Sequence, residues 1–587
     1  MPPADSHAEH NEQTVATAIA RFVHSQGVSR VYTLPGSHVK PICSEMSHLG
    51  IRIVSTRHEC AAVHMAHAEA SLKGGIGVAV ITTGPGLTNA ITGIASAYLA
   101  RTPLLVLSSR VPDLQAGMGA LEEIPQADLV RPVCRFVREV RDARHVLPSL
   151  QTAAAMALGS DGPPGPVYLD FGPNLLKQAM ADWYMDPRWF CPNEPPARLP
   201  GLDEIERAAE LLRDSRRPLV IGGRGARAAG ALLEKFLDDS GCLYLDTRES
   251  RGALSPDNRY SIPAVRARAM AEADLVITLG RRLDFELAYG SAAIFSKAAR
   301  FIRIGRTAEE LSENRHGDVE ICANVDKALE ALVDSGVIKP VAPDSEWREG
   351  LIEENFRKSE ALEQKLSAQP QSADGRIHPL ALIGVLNQFS DKDTISIVDG
   401  GDILSWARVG LRAHTYLDLG PFGCLGSGAP YAVAAALAFP DRRVMALIGD
   451  GAFGFGAMEI ETAVRCGARA LFVVANNDAW NIERQHQAAN YPGQDLGGAL
   501  SPCRYDELAQ SLGAYGERVE DIAELAGALE RGLARLPAVI DVAISPDPAS
   551  PDTKSGLANI PPLHAIQTWD DAERRMFEGS DGNPSAA

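Results

Sequence analysis

Residues 443–486 read RVMALIGDGAFGFGAMEIETAVRCGARALFVVANNDAWNIERQH. An apolar run of strand length, Val444 to Ile448, leads into Gly449-Asp450-Gly451 and then a helical pattern from Ala457 to Arg465. A second apolar run, Leu471 to Ala475, ends in Asn476-Asn477-Asp478. Strand, helix, strand predicts a βαβ unit with parallel strands. Asp450 and Asn477 then fall at the carboxyl ends of neighbouring strands, where open α/β sheets bind ligands. A carboxylate and an amide oxygen are hard ligands that suit Mg²⁺, which completes its octahedron with phosphate oxygens and water. Glycines beside Asp450 let backbone approach a phosphate, and the following helix aims its free N–H groups at the same place. The chemistry asked for is a Mg²⁺-diphosphate.

A lone Gly-Asp-Gly is usually only a turn. Here it closes one strand and Asn-Asn closes the next, 27 positions later. The combination resembles the signature of thiamine-diphosphate-dependent enzymes. By that resemblance Asp450, Asn477 and the backbone carbonyl of Ala479 hold Mg²⁺, with Gly451 and Ala452 beside the diphosphate.

The bulk numbers agree with a soluble, multidomain chain. At 587 residues, three to four domains are expected. The content is 45% hydrophobic and 22% charged, ordinary for a globular protein. No run approaches the length of a membrane span. The N-terminal MPPADSHAEHNEQT lacks the apolar core of a signal peptide. Nine cysteines without a C-x-x-C pair fit a reduced, cytoplasmic protein. A net charge of −18 argues against a nucleic-acid partner.

Residues 1–190 alternate short apolar runs with helical patterns, the mark of a doubly wound parallel sheet. Val31–Leu34, Ile51–Val54, Ile76–Ile81 and Leu104–Leu107 are expected strands, and Ser37 is an expected helix N-cap after Pro35-Gly36. A long Ala-rich helix starts at Glu59. His58, Glu59, His64 and His67 do not make a zinc motif, because position 62 is Ala where H-E-x-x-H needs His. His64 and His67 are expected to pack or be solvated on one helix face. The family resemblance gives Glu59 a sharper meaning: the glutamate set against the cofactor's aminopyrimidine, sharing a proton with ring nitrogen N1′. TGPGLTNAITGIASAY (83–98) resembles the family's pyrimidine loop, so Asn89 borders the ring.

A Pro-rich stretch, 187–200, reads as a linker to a second, Rossmann-like domain over 201–345. Some relatives bind FAD or ADP there. Ile304-Gly305-Arg306 lacks the acidic residue such sites often carry, so ADP or another nucleotide is the weaker expectation. Arg224 and Arg282 can meet phosphates or simply be solvated. A helix-prone connector leads to the third domain, 371–545. By resemblance, backbone at Gly401 and Asp402 touches the diphosphate, Leu425 sits beneath the two cofactor rings, and Gly423 lies beside the aminopyrimidine. The fold class is α/β, with three doubly wound parallel-sheet domains that bind pyrimidine, form the middle and bind pyrophosphate. The tail, 546–587, can serve as a lid, with Ser555-Gly556 comparable to a pair in acyl-CoA relatives. The resemblance implies a homodimer at minimum, and tetramers are common in the family.

Substrate choice rests on fewer residues. GALEEIPQADLVRP (119–132), AFGFGAMEIET (452–462), Arg504-Tyr505-Asp506 and Leu512–Gly516 are similar to 2-hydroxyacyl-CoA lyases and oxalyl-CoA decarboxylases. The implied reaction cleaves a 2-hydroxyacyl-CoA to formyl-CoA and a ketone or aldehyde, and is reversible as a carboligation. The expected pocket residues are Ser37, His38, Leu121, Glu122 and Ile482. Leu121 replaces an aromatic residue, which leaves room for a short branched acyl group of the 2-hydroxyisobutyryl-CoA kind. Asn476-Asn477-Asp478 with Ile482-Glu483 instead resembles 2-keto acid decarboxylases, in which that Glu is an acid/base. Glu483 is therefore the second catalytic candidate, and a 2-keto acid decarboxylase or acetolactate-synthase-like carboligase is the alternative. A non-catalytic protein of the same fold would not need Glu59 and the metal ligands, and all of them are present.

Overall fold

The computed structural model describes residues 13–194, 197–255, 257–336, 339–340, 342–555 and 571. The N-terminal twelve residues and, of the proposed lid, residues 556–570 and 572–587, including Gly556 of the Ser-Gly pair, lie outside the described residues.

Three parallel sheets carry the chain. The first contains β1 (Arg30–Thr33), β2 (Arg52–Ser55), β3 (Gly77–Ile81), β4 (Leu104–Ser109), β5 (Phe136–Val140) and β6 (Pro166–Phe171), in the order β2-β1-β3-β4-β6-β5. The second contains β7 (Pro218–Gly222), β8 (Leu243–Leu245), β9 (Leu275–Leu279), β10 (Arg300–Gly305) and β11 (Val319–Cys322), in the order β11-β10-β9-β7-β8. The third contains β12 (Ile395–Asp399), β13 (Thr415–Asp418), β14 (Val444–Gly449), β15 (Ala470–Asn476), β16 (Tyr515–Val519) and β17 (Ala538–Ala543), in the order β13-β12-β14-β15-β17-β16. Central strands are apolar along their whole length because helices cover both faces. In the second sheet Val220, Ile277 and Ile304 pack on one face while Leu219, Ile221, Val276 and Phe301 pack on the other. The α/β class with three doubly wound domains is thus the observed one.

The described residues fall into two compact units. One takes those within 13–194 together with 419–438 and 461–468; the other takes those within 197–418, 439–460 and 469–555. In the first unit, helix Gly428–Ala438 packs on helix Glu59–Lys73. Both helices are rich in alanine, and Tyr431 and His67 meet between them at 3.0 Å. His64 and His67 are both buried packing residues, not solvated ones. Burial pushes the His64 imidazole down to about 4, so it is neutral near pH 7.

Two local expectations change. Ser37 does not cap a helix: it is exposed in a short 3₁₀ turn, and helix Lys40–His48 starts three residues later with Pro41 in its first turn. Proline's fixed φ and missing N–H suit that place. The helix after β14 begins at Asp450 itself, runs to Gly456, and is followed by a separate helix, Glu459–Cys466. Among the described residues no helix is long and apolar enough to cross a membrane.

Candidate active site

In the first unit, Glu59 opens helix Glu59–Lys73, where a carboxylate complements the helix dipole. It is buried, and Asn89 Nδ2 donates to its Oε2 at 3.0 Å. Asn89 rides on helix Pro85–Leu99, and Gly86 of the same helix leaves no more than van der Waals room beside Glu59 Oε1. Two elements predicted separately from sequence thus meet at one carboxyl.

The loops around this carboxyl are tied together by His38, already expected in the pocket, and by Gln126, which the sequence did not single out. His38 Nδ1 lies 2.9 Å from Thr83 Oγ1, which lies 2.8 Å from Ser109 Oγ. Gln126 is buried and accepts the backbone N–H of Gly84 on Oε1. Its Nε2 donates to the Ser109 carbonyl and the Tyr168 hydroxyl. Glu122 holds a left-handed backbone, φ 66°, with its carbonyl over Gly84, so a Cβ at Gly84 would come within 2.5 Å of it. Leu121 is 84% exposed, and Ser37 is also exposed. Gly423 is exposed at φ 68°, and Leu425 is half-buried.

Asp170, beneath Tyr168, is 1% exposed; its Oδ2 accepts from the Tyr168 hydroxyl. Arg110 Nε is 3.3 Å from Oδ1. Burial, reinforced by the charge of Glu139, outweighs that guanidinium and raises the Asp170 carboxyl to about 7. The folded chain therefore keeps a proton on Asp170 that the unfolded chain loses near pH 4. Stability falls as pH rises from about 4 to about 7 and then levels off. Asp170→Asn carries no such proton, so its stability relative to wild type should improve by up to about 4 kcal/mol between pH 4 and pH 8. Urea melts of both proteins across that range check this; a gap that does not change with pH would refute it.

In the second unit, Asp450 and Asn477 are both buried at the ends of β14 and β15, which pair directly. Asp450 Oδ2 accepts the Ala479 N–H at 3.2 Å. Burial raises its carboxyl to about 6. Asn477 Oδ1 is buried and takes no hydrogen bond among the described residues. A buried carboxylate beside an unused amide oxygen is the donor set of a hard divalent cation, so the residues fit Mg²⁺. No group of three or more His, Cys, Asp or Glu suited to a metal occurs among the described residues.

The neighbouring residues have jobs that spacing did not reveal. A Cβ on Gly451 would lie 2.4 Å from the Trp480 ring, so this glycine makes room for an indole. Ala452 is buried, and the Tyr505 hydroxyl donates to the Asp450 carbonyl at 3.2 Å. Asn476 holds Asp541 at 2.9 Å. Asp478 takes φ 56°, which Asp tolerates better than most residues, and pairs with Arg376 at 3.0 Å. The next helix, Asn481–Asn490, turns Asn481 inward to donate to Asp402 Oδ2 at 2.9 Å. Burial raises the Asp402 carboxyl. Ile482 packs over the Gly401 backbone, 3.5 Å from where a Cβ would stand. Glu483 is exposed on the first turn of that helix and has no hydrogen bond or ion pair among the described residues.

In the central sheet the strand order reverses between β7 and β9, where a nucleotide would bind. There the two loops close on each other: a Cβ at Gly223 would meet the Gly280 carbonyl at 2.2 Å. Arg282 is paired with Glu313 at 2.6 Å instead of being solvated, and Arg224 is half-buried. Among the described residues this crevice gives no support to the nucleotide that was the weaker expectation there.

Three family profiles match the chain. They are the thiamine pyrophosphate enzyme N-terminal TPP binding domain over residues 13–129, the central domain over 205–332, and the C-terminal TPP binding domain over 399–542. The chain belongs to the thiamine pyrophosphate enzyme family, and it is of the lyase and carboligase type. It is 34% identical over 551 residues to the acetolactate synthase large subunit IlvG of Mycobacterium tuberculosis, spanning 92% of this chain and 97% of that one. It is 31% identical over 550 residues to 2-hydroxyacyl-CoA lyase 2 of Homo sapiens, spanning 85% and 84%. The lyase 2 of Caenorhabditis elegans is 30% identical over 544 residues, spanning 86% and 84%.

Proposed function

We propose that the chain is a carbon–carbon lyase that cleaves a 2-hydroxyacyl-CoA to formyl-CoA and a ketone or aldehyde, and that it can run in reverse as a carboligase. One observation carries the choice of a CoA thioester. The second unit has a cleft of about 680 Å³, within the size range of ligand sites. Five cationic side chains line it (Arg248, Arg251, Arg266, Lys358 and Arg408) against the carboxylates of Asp246, Glu286 and Asp552. Arg266 is open to the cleft and has no hydrogen bond or ion pair among the described residues, and Arg251 Nη1 is buried without a hydrogen-bond partner. Guanidinium forks suit the phosphates of a nucleotide. A small 2-keto acid has no use for such a cleft. Helix Asp402–Gly410 links Asp402 to Arg408, about 9 Å of helix axis, a span a pantetheine arm can cover.

Residue roles follow the chemistry of each group. Asp450, Asn477 and the Ala479 carbonyl would hold Mg²⁺, and backbone at Gly401 and Gly451 would meet the diphosphate. Thiamine diphosphate supplies the electron sink for carbon–carbon cleavage. Glu59 carries the proton at the pyrimidine end, and Asn89 orients its carboxyl. Glu483, without a partner of its own, moves the proton of the substrate's 2-hydroxyl. His38 and Leu121 border the acyl group, and the aliphatic Leu121 favours short branched chains.

A panel of 2-hydroxyacyl-CoAs and 2-keto acids, with product masses as readout, tests this. Formyl-CoA plus a carbonyl compound is the expected result. CO₂ from 2-keto acids with no use of CoA would give the alternative, an acetolactate-synthase-like carboligase, which the 34% identity to IlvG favours. Arg266→Gln should raise KM for the acyl-CoA about tenfold or more with kcat little changed, since a charged hydrogen bond is worth about 1.5–3 kcal/mol.

A further inference from the structure

We infer that Gln126 is a positioning residue that acts on Glu59 through Gly84. The inference rests on Glu59 being the proton-carrying group. Gln126 is 3% exposed and opens helix Gln126–Val130, directly after the loop that bears Leu121 and Glu122. Its carboxamide spans three elements. Oε1 takes the Gly84 N–H at 2.5 Å, while Nε2 donates to the Ser109 carbonyl at 2.8 Å and the Tyr168 hydroxyl at 3.0 Å. Ser109 ends β4 and Tyr168 lies in β6, so Gly84 is pinned to the rigid sheet.

Gly84 is the residue before helix Pro85–Leu99 and holds φ 62° and ψ −110°, a conformation open to glycine. Its Cα face is closed by Glu122, and its N–H is held by Gln126. The start of the helix is therefore clamped from both sides by residues 122–126, the end of a loop and the first residue of the helix after it. Five residues further along, Asn89 makes its 3.0 Å bond to Glu59. A short helix moves as a rigid rod, so a shift at Gly84 is carried to Asn89. Small misplacements of an orienting group are costly to proton transfer. The loop expected to meet substrate and the carboxyl expected to carry the proton thus share one anchor.

The test compares Gln126→Met, which keeps the volume but loses all three bonds, with Gln126→Glu, which keeps an oxygen for the Gly84 N–H. The holoenzyme is assayed for deuterium exchange at the thiazolium carbon without substrate, so failure of the lyase reading does not affect the outcome. Gln126→Met should slow that exchange about tenfold and speed amide hydrogen exchange at Gly84. Gln126→Glu should restore most of both, since its buried carboxyl can carry a proton and still donate. Asn89→Ala should add little in the Gln126→Met background, because coupled residues are non-additive. Multiplicative effects of the two substitutions, or a Gln126→Glu protein as slow as Gln126→Met, would overturn the inference.

Discussion

Glu59→Gln should lower turnover by about 10²–10⁴-fold, the usual contribution of a positioned acid–base group. The substitution changes almost nothing else. A carboxamide fills the same buried space and still offers an oxygen to Asn89 Nδ2. The helix loses a first-turn charge, worth about 0.3–1 kcal/mol, so melting should shift only slightly. Thiamine diphosphate and Mg²⁺ affinity should stay near normal, because the residues proposed for the metal and diphosphate follow β12, β14 and β15, not the helix that Glu59 opens. What disappears is the ability to hold and release a proton. The assay is kcat at saturating cofactor, with a thermal melt and cofactor titration alongside. Turnover within about threefold of wild type would remove Glu59 from the chemistry.

The second large effect falls on the cofactor itself. Asp450→Asn should weaken Mg²⁺-thiamine diphosphate binding by about 100-fold or more, since removing one charge from a buried ion contact costs about 3–5 kcal/mol and each 1.4 kcal/mol is tenfold. Asn keeps an oxygen for the Ala479 N–H, so the loop between Asn477 and Trp480 should stay in place. Trp480 would still rest on Gly451, and Tyr505 would still donate to the backbone carbonyl at position 450. Only the charge is lost. Calorimetric titration of the cofactor at several Mg²⁺ concentrations reads the result: a shifted Mg²⁺ dependence is expected. Unchanged affinity would show that the cation is held elsewhere.

Asp450 and Asn477 could be placed at adjacent strand ends because apolar runs of strand length lead directly into Gly-Asp-Gly and Asn-Asn. Glu59 could be placed at a helix start because an Ala-rich pattern begins there. Both inferences use local periodicity and turn chemistry. Gln126 could not be found that way. Its partner Gly84 is 42 residues away, and only the packing of β4, β6 and the loop over Gly84 brings them together. The same holds for Gly451. Its glycine looks like a phosphate approach in sequence, and the Trp480 ring lying on it appears only in three dimensions. The two histidines on helix Glu59–Lys73 had two readings in sequence, and the contact with Tyr431 decided between them.

By itself, then, the sequence determined the α/β class and the order of three parallel sheets, because side-chain period and strand-end motifs are properties of short stretches, and the family resemblance carried by those motifs named the cofactor. The tertiary structure decided which side chain holds each of those motifs in place. Asn89 meets Glu59, Gln126 holds Gly84, Asn481 turns in to Asp402, and Arg266 is left open to a cleft. Each depends on segments far apart in the chain being packed together, and burial and charge at such meetings are set by the packing, not by neighbours in sequence.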